Sequence, residues 1–176
     1  MIDLVLTLIG SDRPGLVEAV AQTVADRGGN WLESRMIHLA GSFAGILRIE
    51  VPPGQAEALA HALEGLVASG LRVTATSAPR AQAGAAASAV GEGRVMDLEL
   101  IGLDRPGLVR EISQLLASHE VNVEELTTDR TSAPMSGEML FRANARVKVP
   151  VHIDAAHLLA SLERLASDLT VEIRLK

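Results

Sequence analysis

GSDRPGLV (Gly10–Val17) and GLDRPGLV (Gly102–Val109) are near-copies of one stretch, 92 residues apart. Working outward at that spacing lays Leu6–Glu33 over Leu98–Glu125, with 14 of 28 positions identical. Asn30 falls on Asn122 and Glu33 on Glu125. The second copy then carries about six extra residues, and the match resumes at a spacing of 98. There Phe43 meets Phe141, Val51-Pro52 meets Val149-Pro150, and Leu71-Arg-Val meets Leu169-Thr-Val. Such self-similarity marks a duplicated structural unit.

Each unit reads the same way. Ile2, Leu4, Leu6 and Leu8 alternate with polar or smaller neighbours, the pattern of a half-buried strand. The D-R-P-G turn follows, then a helix expected from about Pro14 with Leu16, Val17, Val20 and Val24 on one face. Pro favours a first helical position, and Gly28-Gly29 supplies the stop. Asn30–Leu39 and Phe43–Val51 read as strands around a turn at Gly41-Ser42. A second helix is expected over about Gly54–Ser69 with Leu59, Leu63 and Leu66 as its stripe, and Leu71–Ser77 closes as a strand. The order β-α-β-β-α-β is the ferredoxin-like split unit, an α+β fold whose antiparallel sheet carries helices on one face. In Glu138–Val149 the set Met139, Phe141, Ala143, Ala145, Val147 and Val149 should face those helices, with Arg142, Asn144, Arg146 and Lys148 on the open side.

The expected organisation is a first domain over 1–77, a flexible linker over 78–93 and a second domain over 94–176. The linker has almost no large apolar residue, and a flexible chain of that length reaches roughly 20 Å, enough for the halves to sit side by side.

Composition narrows the function. The chain has 176 residues and no Cys, which removes disulfides, thiolate metal sites and Cys nucleophiles. The formal net charge is −6, and no run of Lys or Arg marks a phosphate-binding face, so direct nucleic-acid binding is not expected. The first residues lack a basic region and a long apolar run, so no secretory signal or membrane anchor is expected and the cytoplasm is the default.

GxDRPGLV at a strand-to-helix turn, followed by GGNW or EVNV at the next strand, resembles the ACT domain family, and the resemblance covers both halves. Two such domains with nothing else attached resemble the glycine cleavage system transcriptional repressor family. That resemblance implies a regulator that senses glycine and acts through a LysR-type activator rather than on DNA. ACT domains also occur on formyltetrahydrofolate deformylases, phosphoserine phosphatases and nucleotidyltransferases, but this length is expected to leave no catalytic domain. No cofactor is implied.

The resemblance also implies a site. An amino acid would sit where the first turn of one domain meets the second strand of its neighbour. The turn's backbone N–H groups at a helix start would hold the carboxylate. On this chain the turn offers Asp12, Arg13, Pro14, Gly15 and Leu16, with Asp104, Arg105, Pro106, Gly107 and Leu108 as the twin set, and the strand offers Asn30 and Asn122. Serine-binding relatives place a His and an Asn where this chain has Gly10 or Gly102 and Asp12 or Asp104. Serine-type recognition therefore does not carry over intact, although an Asp suits a ligand ammonium.

Each residue also has a plainer reading. Asp12 and Asp104 suit helix caps as well as ligand contacts. Arg13 and Arg105 are either solvent-facing or paired with an acid, or they clamp a ligand carboxylate. Gly15 and Gly107 allow close approach of the helix to the sheet or of a ligand to the backbone. Asn30 and Asn122 suit loop ends as well as ligand contacts, and Trp31 is expected at a domain contact. Arg142, Arg146 and Lys148 form a basic row that Asp97 and Glu99 should partly neutralise. His152, Asp154 and His157 match no standard metal spacing.

Four functions compete at this level. An amino-acid sensor fits the repeated turn. An enzyme on this scaffold would need a nucleophile or base beyond that turn. An RNA-binding module would need aromatic residues on the open face, where Phe43 and Phe141 are not expected. A protein-interaction adaptor without ligand stays open, as does a homodimer.

Overall fold

The computed structural model describes residues 1–77, 92–133, 137–169 and 171–176. Its contacts divide the chain into two compact units, Met1–Ala83 and Gly84–Lys176. In the first, the strands are β1 (Ile2–Ser11), β2 (Asn30–Leu39), β3 (Ser42–Val51) and β4 (Leu71–Ser77), and the helices are α1 (Leu16–Ala25) and α2 (Ala56–Glu64). The second repeats this with β5 (Gly93–Leu103), α3 (Leu108–Ser118), β6 (Asn122–Ser132), β7 (Met139–Pro150), α4 (Ala155–Leu169) and β8 (Val171–Leu175). Each half has the α+β, ferredoxin-like order.

The sheets run β2-β3-β1-β4 and β6-β7-β5-β8, with antiparallel neighbours throughout. Leu4, Leu6 and Leu8 of β1 and Leu47, Ile49 and Val51 of β3 turn inward onto Leu16, Val20 and Val24 of α1 and Leu59 and Leu63 of α2. The second core repeats the plan around Leu98, Leu100, Val147, Val149, Leu108, Ile112, Leu116, Leu158 and Leu162. Phe43 and Phe141 pack with these cores, on the helix side, so neither offers a stacking surface on the open face.

The expected boundaries shift where backbone geometry overrides pattern. Gly15 has φ 89°, outside helical geometry, so α1 starts at Leu16 and Pro14 belongs to the turn rather than the first helical position. Val17 is 44% exposed, because only every third or fourth residue of a helix can face one sheet. The second helix is three pieces: a 3-10 turn at Pro53–Gln55, α2, and a 3-10 segment at Gly65–Ser69 that ends at left-handed Gly70. Met139 is exposed at the start of β7, beyond the reach of the helix layer. Gly93, assigned to the linker, pairs with Pro150 as the first residue of β5; residues 78–91 of that linker lie outside the described residues. The β2–β3 connection is the two-residue turn Ala40-Gly41, both at positive φ as tight hairpins require. Its counterpart after Ser132 holds the extra residues of the second copy.

The loops after α1 and α3 place different residues at one left-handed position. Gly28 takes the left-handed conformation after α1, whereas the equivalent Glu120 takes it at φ 54°. Replacing Glu120 by Gly should relieve a side-chain clash and return part of that gain as chain entropy. Glu120→Gly is expected to stabilise the second half by about 0.5–1 kcal/mol, read as a higher denaturant midpoint at unchanged slope.

The edge strands are the least covered parts. Nearly every residue of β6 is exposed, and β2 is exposed outside Trp31, Ser34 and Met36. Ile37 and Leu39 on β2 and Val123 and Leu126 on β6 are large apolar side chains left open to solvent. Among the described residues no helix is long and apolar enough to cross a membrane.

Candidate functional site

The D-R-P-G turn is held from both sides. The Asp12 N–H donates to the Gly41 carbonyl at 3.0 Å, tying the turn to the β2–β3 hairpin. Arg13 Nη2 donates to the Ser69 carbonyl at 2.5 Å, tying it to the segment before β4. In the second copy the Asp104 N–H donates to the Met139 carbonyl at 2.8 Å. Arg105 folds instead onto its own helix and forks over Glu111 at 2.8 and 3.2 Å. That hydrogen bond from Arg105, with its positive charge, holds the Glu111 carboxyl below the usual glutamate range. The pairing leaves neither Arg as a free clamp. Gly15 and Gly107 are the N-cap residues, at φ 89° and 95°. The first helical bonds run from the Ala19 and Glu111 N–H groups to the Gly15 and Gly107 carbonyls at 3.0 Å. The amides of Leu16 and Val17, and of Leu108 and Val109, precede those bonds and have no intrahelical partner.

The N-cap position of each helix is held by a glycine, Gly15 or Gly107, so Asp12 and Asp104 do not occupy it. Both reach across to the neighbouring edge strand. Asp12 lies 3.7 Å from His38 Nε2 on β2, and Asp104 lies 2.6 Å from Arg130 Nη2 on β6. His38 and Arg130 are themselves 92 residues apart, and each sits opposite the repeated Phe in the register. An acid on the turn facing a basic side chain on the edge strand is thus a property of the repeat. Both basic residues are found by aligning the copies through β2 and β6, where His38 falls on Arg130.

Asn30 and Asn122 lie elsewhere. Asn30 is paired with Glu50 and donates to its carboxylate at 3.2 Å, while Gly10 is paired with Phe43. Those partners are seven residues apart on β3, about 23 Å along the strand. The same separation holds for Asn122 and Gly102. Within one domain the turn and the Asn stand at opposite ends of the sheet.

Two other groups resolve more simply. Asp154 accepts from the Ala156 N–H at 3.0 Å at the start of α4, while His152 faces Glu120 at 3.6 Å and the rings of His157 and His119 stack obliquely at 5.8 Å. On the open face Arg146 lies between Glu125 and Asp97, at 3.6 and 3.9 Å, as Arg48 lies between Glu33 and Asp3, at 3.2 and 3.8 Å. Glu99 pairs with Lys176 at 3.2 Å rather than with the basic row. These are solvent-reachable pairs of small energetic weight.

Comparison with known proteins agrees with this layout. Two family models, each described as an ACT domain, match residues 3–74 and 91–173. None of the curated proteins matches the sequence. Among solved structures, a protein of unknown function from Galdieria sulphuraria is similar at 27% identity and a TM-score of 0.84, covering 99% of this chain and 97% of that one. A second, provisionally described as a glycine cleavage system transcriptional repressor, shares the fold at 21% identity and a TM-score of 0.69, over 99% and 96% of the two chains. With a matched model over each repeat and the same turn, sheet order and helix layer in both halves, the chain belongs to the ACT-domain family and carries two ACT domains in tandem.

Proposed function

We propose that this protein is a cytoplasmic, non-enzymatic sensor of an amino acid, acting on transcription through a protein partner, a LysR-type activator, rather than by touching DNA. A pair of ACT domains is a regulatory, ligand-sensing architecture. The observation that carries the reading is the duplicated turn whose acid faces a basic side chain, Asp12 to His38 and Asp104 to Arg130, beside unpartnered helix-start amides. Those groups match the charges of a zwitterion: carboxylate to amides or cation, ammonium to Asp. The net charge of −6 argues against direct DNA binding.

A complete site takes the turn from one domain and the Asn from another, since within a domain they are about 23 Å apart. Antiparallel pairing of two exposed edges, β2 or β6, sets the start of one strand beside the end of its neighbour. Asn30 or Asn122 then comes next to the neighbouring turn. The neighbour is a domain of a second copy, and glycine is among the candidate ligands.

A thermal-melt and calorimetric screen of the full chain against the twenty amino acids tests this. An amino acid at a hundred times its Kd should add about 2.7 kcal/mol of apparent stability. Asn30→Ala or Asn122→Ala should weaken its binding by about 1–3 kcal/mol while leaving the melt of the free protein nearly unchanged. The adaptor reading rests on the ion pairs that already occupy Asp12 and Asp104. It takes over if no amino acid moves the melt.

A further inference from the structure

The two halves are not equivalent beneath the edge strand, and the difference is chemical. In the second half a cavity of about 40 Å³ opens between α3, β5, β6 and β7, lined by Ser113 and otherwise by apolar side chains including Leu100, Val109, Val123, Leu126, Phe141 and Ala143. Three of these, Val109, Val123 and Leu126, are also exposed at 39–48%, so they form an apolar mouth.

In the first half the corresponding positions are filled. Trp31 stands where Val123 stands, and Met36 where Thr128 stands; both pack against the first core. Met36 faces Gly45 in the register as Thr128 faces Ala143. A Cβ on Gly45 would come within 2.8 Å of Met36 Cγ, so the glycine is what lets the methionine lie flat over the sheet. In the second half the Ala143 methyl takes that space, and Thr128 is too short to close it.

Charged groups stand next to the slot's wall, outside its lining. Phe141, in its wall, is register-paired with Arg130, and Arg130 holds Asp104 at 2.6 Å. Val109, also in the wall, lies in the first turn of α3. An apolar slot with one acid and one cation adjacent to its Phe141 wall suits a small zwitterion with an aliphatic tail. Glycine and serine would leave the slot empty or set a hydroxyl against hydrocarbon.

Resting on the sensor reading above, we propose that the second domain is selective for a branched aliphatic amino acid, whose side chain enters this slot. The first domain, plugged by Trp31 and Met36, does not take such a side chain. The Asp104–Arg130 pair is the element that must open to admit the charged end.

The test is calorimetric titration of the full chain with L-valine, L-leucine, glycine and L-serine, with melting followed in parallel. Valine or leucine should bind about tenfold or more tighter than glycine, as burying two or more methyl-sized groups implies, at one molecule per chain. Two variants transplant the plug: Val123→Trp, and Thr128→Met combined with Ala143→Gly. Each should weaken valine or leucine at least about tenfold, with the free protein melting no lower than the parent. If glycine binds as tightly as valine and neither variant changes the ranking, the slot proposal is overturned while the sensor reading stands. Two equivalent valine sites per chain would overturn the plugging of the first domain. If Val123→Trp instead dissociates a dimer with no effect of valine, a second copy covers the slot and the proposal fails. If no amino acid binds at all, the sensor reading falls and takes this inference with it.

Discussion

Leu6→Ala is expected to lower the stability of the first half by about 2–5 kcal/mol, the usual range for truncating a fully buried leucine. Leu6 is 0% exposed and lies at the centre of β1, between β3 and β4 and beneath both helices. No neighbour can move far enough to fill the space, because all are anchored in strands or helices of the same core. The chain supplies its own reporter: Trp31 is the sole tryptophan and packs against this core. Its fluorescence in a urea titration should follow the first half, while far-ultraviolet circular dichroism follows both. Leu6→Ala should shift the Trp31 transition to lower denaturant. Leu100→Ala, the equivalent change in the second core, should lower the circular dichroism transition and leave that of Trp31 in place. If both variants move the two signals together, the halves unfold as one cooperative unit and the assignment of Leu6 to an independent core is wrong.

The second large effect is at the repeated glycine that opens the turn motif. A Cβ on Gly10 would run into the Gly70 carbonyl oxygen and lie 3.2 Å from Leu71 Cα, so the obstruction is backbone. A Cβ on Gly102 would meet the Val171 side chain and lie 2.9 Å from its Cα. Gly10→Ala or Gly102→Ala must push β4 or β8 away from its central strand, and each is expected to cost about 1–3 kcal/mol or more. Gly54→Ala, with nothing within 4 Å of the new methyl, is the control and should stay within about 0.5 kcal/mol. Thermal melts of the three variants decide the matter; a Gly10→Ala protein as stable as the control would mean that the strands yield freely. A histidine at either position would need a Cβ where β4 or β8 already lies.

The fold was legible because two patterns reinforced each other. Period-two alternation marked β1 and β7, and the spacing between the copies carried each assignment from one half to the other. Asn30–Leu39 and Leu71–Ser77 come out as read, since Gly28, Gly41 and Gly70, all at positive φ, punctuate them. Proline's preference for the first helical turn points two residues too early for α1, because the left-handed Gly15 that follows Pro14 delays the helix to Leu16. The site was only half legible. Local sequence shows the turn and the Asn, but which basic residue faces Asp12 or Asp104 depends on strand register. His38 and Arg130 reach the turn from 26 residues further along the chain in each copy. The slot of the second domain was less legible still, since it arises from the combined sizes of Val123, Thr128 and Ala143 on two different strands.

The uncovered edges carry a selection rule written in charge. β6 bears Glu124, Glu125 and Asp129 against a single Arg130, whereas β2 balances Glu33 with Arg35. Two β6 edges brought together would press like charges against each other across a few ångströms, a repulsion that opposes strand pairing. A β2 edge meets no such barrier, with a β6 or with another β2. The discrimination acts over roughly 8 Å at physiological ionic strength and fades as salt is added. Crystallisation or storage at high ionic strength therefore removes the one electrostatic obstacle to the symmetric β6 contact, and the mating preferences of these edges are those of dilute buffer.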